Sequence, residues 1–174
     1  MGVSFWIAML MGAALSTVVG LAIGLISLRM RGVYFALVTM VFSVVAYLAA
    51  CRFSWLTGGI CGLNFSIPSI VFGGLVLPLS DPLVRYYFCF AIFFISFLIL
   101  HRIVNSPVGK TFEAIRENEE RARFIGYNTQ RYRLFSFTIS ALFSSISGAL
   151  YSLVFGYVSA NFASVNMSVS ALLW

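Results

Sequence analysis

The side chains able to do polar chemistry are crowded into one stretch. Of 11 basic and 5 acidic residues, all but Arg29, Arg31, Arg52, Asp81 and Arg85 lie between Arg102 and Arg133. At its centre is Ser106 to Asn128, SPVGKTFEAIRENEERARFIGYN. Carboxylates and guanidiniums at helical spacing make caps, ion pairs and protein contacts. They do not make a metal or acid–base centre. The chain has a single histidine, His101, and Cys51, Cys61 and Cys89 show neither CxxC nor metal-ligand spacing. Those cysteines read as small buried apolar residues, with a Cys51–Cys61 disulfide left open. Gly109-Lys110-Thr111 imitates the end of a phosphate-binding loop. That motif needs a glycine five positions earlier, where Val104 stands, and a preceding strand. Nucleotide binding is excluded there.

The elements that must position this stretch follow from its punctuation. Ser106-Pro107 is a helix start, a hydroxyl cap with proline in the first turn. Val108, Phe112 and Ile115 then place a narrow apolar stripe on a polar helix. Asn118 caps a second short helix whose acids, Glu119 and Glu120, precede its bases, as the helix dipole favours. Gly126 terminates it in the left-handed region. The break falls at Glu117–Asn118, and the second helix presents Ala122, Phe124 and Ile125. Such an element fits a groove of another protein. It equally fits a solvated loop packed on its own membrane part, and physics alone leaves both open.

The surroundings read as membrane. Hydrophobic residues make up 61% of the chain and charged ones 9%, against about 25% charged in soluble domains. Helices satisfy their own backbone in lipid, so the expected fold is an all-α polytopic bundle, 1–174 as a single domain. The net charge of +6 is a topology signal of membrane proteins and gives no reason to expect nucleic acid as a partner. The first apolar run is too long for a secretory signal and lacks a basic flank and a cleavage site.

Four full spans are expected, at about 3–28, 32–51, 83–100 and 134–157, with a partial one towards Trp174. Gly12, Ser16, Gly20 and Gly24 form a small-residue face on the first, for packing within the chain or against another subunit. Ser136, Ser140, Ser144, Gly148 and Ser152 repeat the pattern on the fourth, for packing or a polar path. The second span is apolar all round. The 52–82 link is rich in Gly and Pro, and its apolar part, Ile67 to Leu79, is too short and broken to span, so it belongs at the interface or in a re-entrant piece. Arg29 and Arg31, with Arg102, Lys110, Arg116, Arg121, Arg123, Arg131 and Arg133, mark two basic loops. Both go to the cytoplasm with four alternating spans, which puts the link outside and makes 101–133 a cytoplasmic helical loop. No Asp or Glu lies inside a span, which argues against an intramembrane enzyme, and a boundary histidine alone is no catalyst.

The central stretch resembles the cytoplasmic signature of branched-chain amino-acid ABC importer permeases of the LivM/LivH type. Ser106, Pro107, Gly109, Ala114, Ile115, Arg116, Glu117, Ala122, Arg123 and Gly126 fit that signature. LRMRGVYFALVTMVF at Leu28–Phe42, Thr57-Gly58-Gly59 with Gly62-Leu63, and Phe137–Gly156 with its Ser147-Gly148-Ala149-Leu150 resemble other family elements, in order, over about 25 to 165. Lys110 and Tyr127 depart mildly from the pattern. Family members are longer, so the resemblance implies that residues 1–174 are an internal portion of a permease.

The resemblance implies a multi-pass permease of the prokaryotic inner membrane, without covalent chemistry or cofactor. Its partners would be a second permease subunit, two cytoplasmic ABC ATPases that hydrolyse ATP, and an extracytoplasmic substrate-binding protein. Glu113, Ala114, Arg116, Glu117, Arg121, Ala122, Arg123 and Gly126 would couple to the ATPase. Thr57, Gly58, Gly59, Gly62, Ser140 and Ser144 would line the substrate pathway, although tight turns also explain the glycines. A urea or short-chain amide importer shares these motifs. A helical scaffold with no transport of its own is the rival from another class.

Overall fold

The computed structural model describes residues 5–30, 32–64, 70–72, 75–77, 81–167 and 170. The expectations for Arg31, for Val3 at the head of the first span, for much of the Ile67–Leu79 segment and for the last residues before Trp174 lie outside them. The described elements are helices α1 (Phe5–Ser27), α2 (Val33–Arg52), α3 (Ser54–Thr57), α4 (Pro82–Val104), α5 (Pro107–Glu117), α6 (Glu119–Phe124) and α7 (Thr129–Phe155). Short strands β1 (Leu63–Asn64), β2 (Ile70–Phe72), β3 (Leu75–Leu77) and β4 (Tyr157–Val158) and 3-10 turns at Gly59–Cys61 and Ala160–Ala163 complete them. The fold is all-α, and four helices are long and apolar enough to cross a membrane: Ile7–Ser27, Val33–Arg52, Pro82–Val104 and Thr129–Phe155.

Helix α4 runs on to Val104 and α7 starts at Thr129, both well into the charged stretch. Arginine is a good helix former, and backbone hydrogen bonding is indifferent to where hydropathy ends. Asn128 caps α7, its Oδ1 accepting from the Arg131 amide at 3.3 Å. In the link, Ile70–Phe72 and Leu75–Leu77 pair antiparallel, Phe72 opposite Leu75. Apolar strand-forming residues on both sides of Gly73-Gly74 make a hairpin sequence.

The chain forms two compact units, 1–24 with 68–149, and 25–67 with 150–174. In the first unit α1 packs on α7 through small residues. A Cβ on Gly20 would collide with that of Ala141, and one on Gly24 would stand 2.9 Å from a ring carbon of Phe137. The Ser16 hydroxyl donates to the Ala141 carbonyl at 3.3 Å. Three members of the glycine–serine face are therefore committed to packing within the chain. Gly12 has nothing within 4 Å of an added Cβ.

In the second unit the strands β1 and β4 pair, Leu63 opposite Val158, and the Ser43 hydroxyl of α2 donates to the Ala163 carbonyl at 3.1 Å. Leu153, Ser159 and Ala160 are buried here. Tyr151 stacks on Phe155 and meets Phe162 edge-on. Cys51 and Cys61 are both free thiols. Cys61 is exposed, and Cys51 and Cys89 are half-buried, so none is the fully buried apolar residue expected. Helix α2 fully buries none of its residues. Its outward Val33, Leu37, Val41 and Leu48 are what a bilayer solvates.

Candidate functional site

The charged stretch folds as a corner built on the first unit. Asn105 and Ser106 turn the chain from α4 into α5. The Asn105 amide group donates to the His101 carbonyl at 2.9 Å. Ser106 Oγ donates to the Ile103 carbonyl at 2.6 Å and accepts from the Gly109 amide at 3.4 Å. Pro107 occupies the first helical position. Gly109 is buried, and a Cβ there would run into the Val104 carbonyl. The glycine of the deceptive GKT sequence is thus the point where α5 meets the backbone end of α4. Thr111 is buried and donates to the Pro107 carbonyl at 3.0 Å.

The apolar stripe of α5 turns inward. Val108, Phe112 and Ile115 are half-buried. The Phe112 ring centre lies 6.3 Å from that of Tyr132 and 6.4 Å from that of Phe135, both on α7. This stripe packs on its own unit, as the bland reading of the loop requires.

The second short helix, α6, is capped at both ends. Asn118 Oδ1 accepts from the Arg121 amide at 3.0 Å. At the other end Gly126 has φ +100°, with Gly126 N–H bonded to Arg123 and Tyr127 N–H to Ala122, each at 3.1 Å. This is the Schellman arrangement that left-handed glycine permits. Glu119 ties α6 to α7, accepting from Thr129 Oγ1 at 3.3 Å and pairing with Arg133 Nη1 at 3.4 Å. Both charges are about 30% exposed (27% and 31%), so the pair contributes no more than about 1 kcal/mol. Glu119→Ala is expected to raise amide exchange across α6 by a few-fold, at most about fivefold, while the four spans stay protected.

What remains outward is the candidate contact face. Glu113, Ala114, Arg116, Glu117, Arg121, Arg123 and Gly126 are exposed. Ala122 is not: at 3% exposure it is buried, so it is a packing residue and not the presented knob that was expected. The apolar knobs are Phe124 and Ile125, at 89% and 76% exposure. Lys110 and Glu113 form an exposed ion pair at 3.1 Å.

The residues expected along a substrate pathway fall into two groups. In the second unit the Thr57 hydroxyl donates to the Ala50 carbonyl at 2.6 Å and accepts from the Gly59 amide at 3.2 Å. It is occupied in ending α2. Gly58, Gly59 and Gly62 all have φ between 60° and 70°, and a Cβ on Gly62 would lie 2.5 Å from the Val158 carbonyl oxygen. These glycines are required by the turn itself. In the first unit Ser140 and Ser144, with Ser136, line an open groove of about 470 Å³ walled by Leu100, Phe112 and Phe143. Sequence reasoning missed Glu119 and Thr129, partners separated by 10 positions, for which no local signal exists. It missed the Asn128 cap too, which an Asn just before a helical pattern does signal.

Small-residue packing of α1 on α7, a capped charged corner and four apolar helices fit a membrane transport component, and comparison with known proteins decides the family. All of residues 1–174 match the model described as "Branched-chain amino acid transport system / permease component". The chain belongs to this family. Among its relatives, the high-affinity branched-chain amino acid transport system permease protein LivM of Salmonella typhimurium is 29% identical, covering 91% of this chain and 42% of its own length. LivM of Escherichia coli is 28% identical with the same coverage of both chains. A probable branched-chain amino acid transport permease protein LivM of Methanocaldococcus jannaschii is 28% identical over 84% of this chain and 41% of its own. The chain thus spans about 42% of the length of its bacterial relatives. No solved structure matches. With four candidate spans and this family, the chain is a multi-pass membrane protein of a permease type.

Proposed function

We propose that this chain is an internal portion of the membrane-spanning permease of an ABC importer that moves branched-chain amino acids into the prokaryotic cytoplasm. The observation carrying this reading is the pair of exposed apolar side chains, Phe124 and Ile125, at the end of a short helix that carries Arg121 and Arg123, is capped at both ends and follows Glu117 of α5. A soluble loop has no use for two adjacent bare hydrophobes, whereas a docking helix needs such anchors.

On this reading the α5–α6 corner lies on the cytoplasmic side, where the basic excess belongs, and docks one of two partner ATPases. Glu113, Ala114, Arg116, Glu117, Arg121, Arg123 and Gly126 surround the contact, and Ala122 holds it in shape. Closure of the ATPases on ATP pushes the corner. Gly109 on Val104 and Glu119 on Arg133 pass the displacement to α4 and α7. A second permease subunit completes the path, and an extracytoplasmic binding protein supplies substrate. Ser140 and Ser144 line the path, and Thr57, Gly58, Gly59 and Gly62 shape its outer turn. Hydrolysis belongs to the ATPases, and this chain makes or breaks no covalent bond.

The test is reconstitution of the full-length permease in liposomes with its co-purifying ATPase and binding protein. ATP-dependent uptake of labelled leucine or isoleucine is the expected result. Uptake of urea in place of the amino acids would reassign the substrate. Purification without any ATPase, and no ATP-dependent uptake, would overturn the importer reading.

A further inference from the structure

We propose that the groove along the last turns of α4 binds an anionic phospholipid. The groove is a shallow, widely open one of about 840 Å³ over the surface of α4 and the two residues that follow it, and its two ends differ in chemistry. Ile95, Leu98 and Ile99 form one end, each about half exposed at 55%, 49% and 47%. His101, Arg102 and Asn105 form the other. The change from hydrocarbon to cation takes about seven residues of helix, or about 10 Å at 1.5 Å per residue. That is the step from upper acyl chain to phosphate in a lipid.

Arg102 is exposed and has no acidic partner among the described residues. The ion pairs among the described residues are Lys110–Glu113 and Arg133–Glu119, and neither involves it. A free guanidinium at the end of a span binds phosphate in a bidentate fork. Asn105 Nδ2 stands 3.1 Å from a ring nitrogen of His101, whose ring lies along Phe97 with centres 6.1 Å apart. The polar end is therefore ordered beside the guanidinium. Among the described residues no carboxylate lines the groove, so none of them would receive the ammonium of a zwitterionic headgroup. Net negative charge is the selected feature, as in basic pockets beside transmembrane helices. The inference rests on α4 being a membrane span and is independent of the importer reading.

Native mass spectrometry of the full-length protein in mild detergent, titrated with phosphatidylglycerol or phosphatidylcholine, tests it. Phosphatidylglycerol is expected to bind about fivefold or more tightly than phosphatidylcholine. Arg102→Gln should remove most of that preference, and Arg102→Lys, which keeps the charge and loses the fork, should keep part of it. Ile99→Trp, which fills the apolar end, should weaken phosphatidylglycerol binding with the charge unchanged. Equal retention of both lipids by the wild type would overturn the proposal, as would an undiminished preference in Arg102→Gln. A helix of the same protein or of a partner seated in the groove would give the first of those results.

Discussion

Phe124→Glu is expected to weaken binding of the proposed partner ATPase by about 30-fold or more while leaving the membrane domain folded. The side chain is 89% exposed, so removing it costs the isolated chain within about 0.5 kcal/mol. An exposed aromatic that becomes the buried anchor of an interface costs about 2 kcal/mol or more when lost. Replacing it by a carboxylate adds the desolvation of a charge. Affinity of the purified ATPase for the detergent-solubilised permease checks this, with ATP hydrolysis stimulated by transport as the second readout. Ala122→Glu gives the contrast. That residue is 3% exposed, so the variant should weaken docking by unfolding α6, seen as lost amide protection there. Phe124→Glu should leave the protection intact. Unchanged affinity in Phe124→Glu would refute the docking assignment.

Gly109→Ala should be the most damaging single-methyl change in the corner. Its Cβ would overlap the Val104 carbonyl, with further Val104 backbone atoms close behind. Backbone at the end of a 23-residue helix cannot rotate away as a side chain can, so α5 must lift off α4. Overpacking of this kind costs about 3 kcal/mol, which accelerates amide exchange in α5 by about a hundredfold. Expression and span protection should be near normal, because the four spans do not depend on this contact. If the corner couples a partner ATPase as proposed, ATP hydrolysis would then run without transport, since the corner would no longer bear on α4. Wild-type exchange in α5 would mean that the corner is held elsewhere.

These two outcomes separate roles that the sequence merges. GKTFEAIRENEERARF presents its glycine, its alanine and its phenylalanine alike as part of one signature. Only the packed corner divides them into the residue that permits contact, the one that fills it and the one left bare. Caps were legible because they are local. Ser106-Pro107, Asn118 and Gly126 act within four or five residues of themselves, through bonds set by backbone geometry. The four spans were legible for the same reason, since hydropathy over about 20 residues decides membrane insertion regardless of neighbours.

The hairpin at Ile70–Leu77 was not legible, because a short apolar run suits a strand, an interfacial helix or a re-entrant piece equally well. The fate of the serine and glycine faces was equally hidden. Small residues every four positions allow a close approach, but nothing local says whose helix approaches. The structure gives Ser16, Gly20 and Gly24 to α7, and leaves Ser136, Ser140 and Ser144 on an open groove. By itself, then, the sequence determined the solvent of this protein, the four helices among the described residues long and apolar enough to cross a membrane, and the capped helices of its charged corner, because each depends on short-range bonding or summed hydropathy. Tertiary structure alone decided which side of that corner is spent on packing. The contacts that decide it, Glu119 with Arg133 and Phe112 with Phe135, join residues 14 and 23 positions apart, beyond the reach of any local pattern.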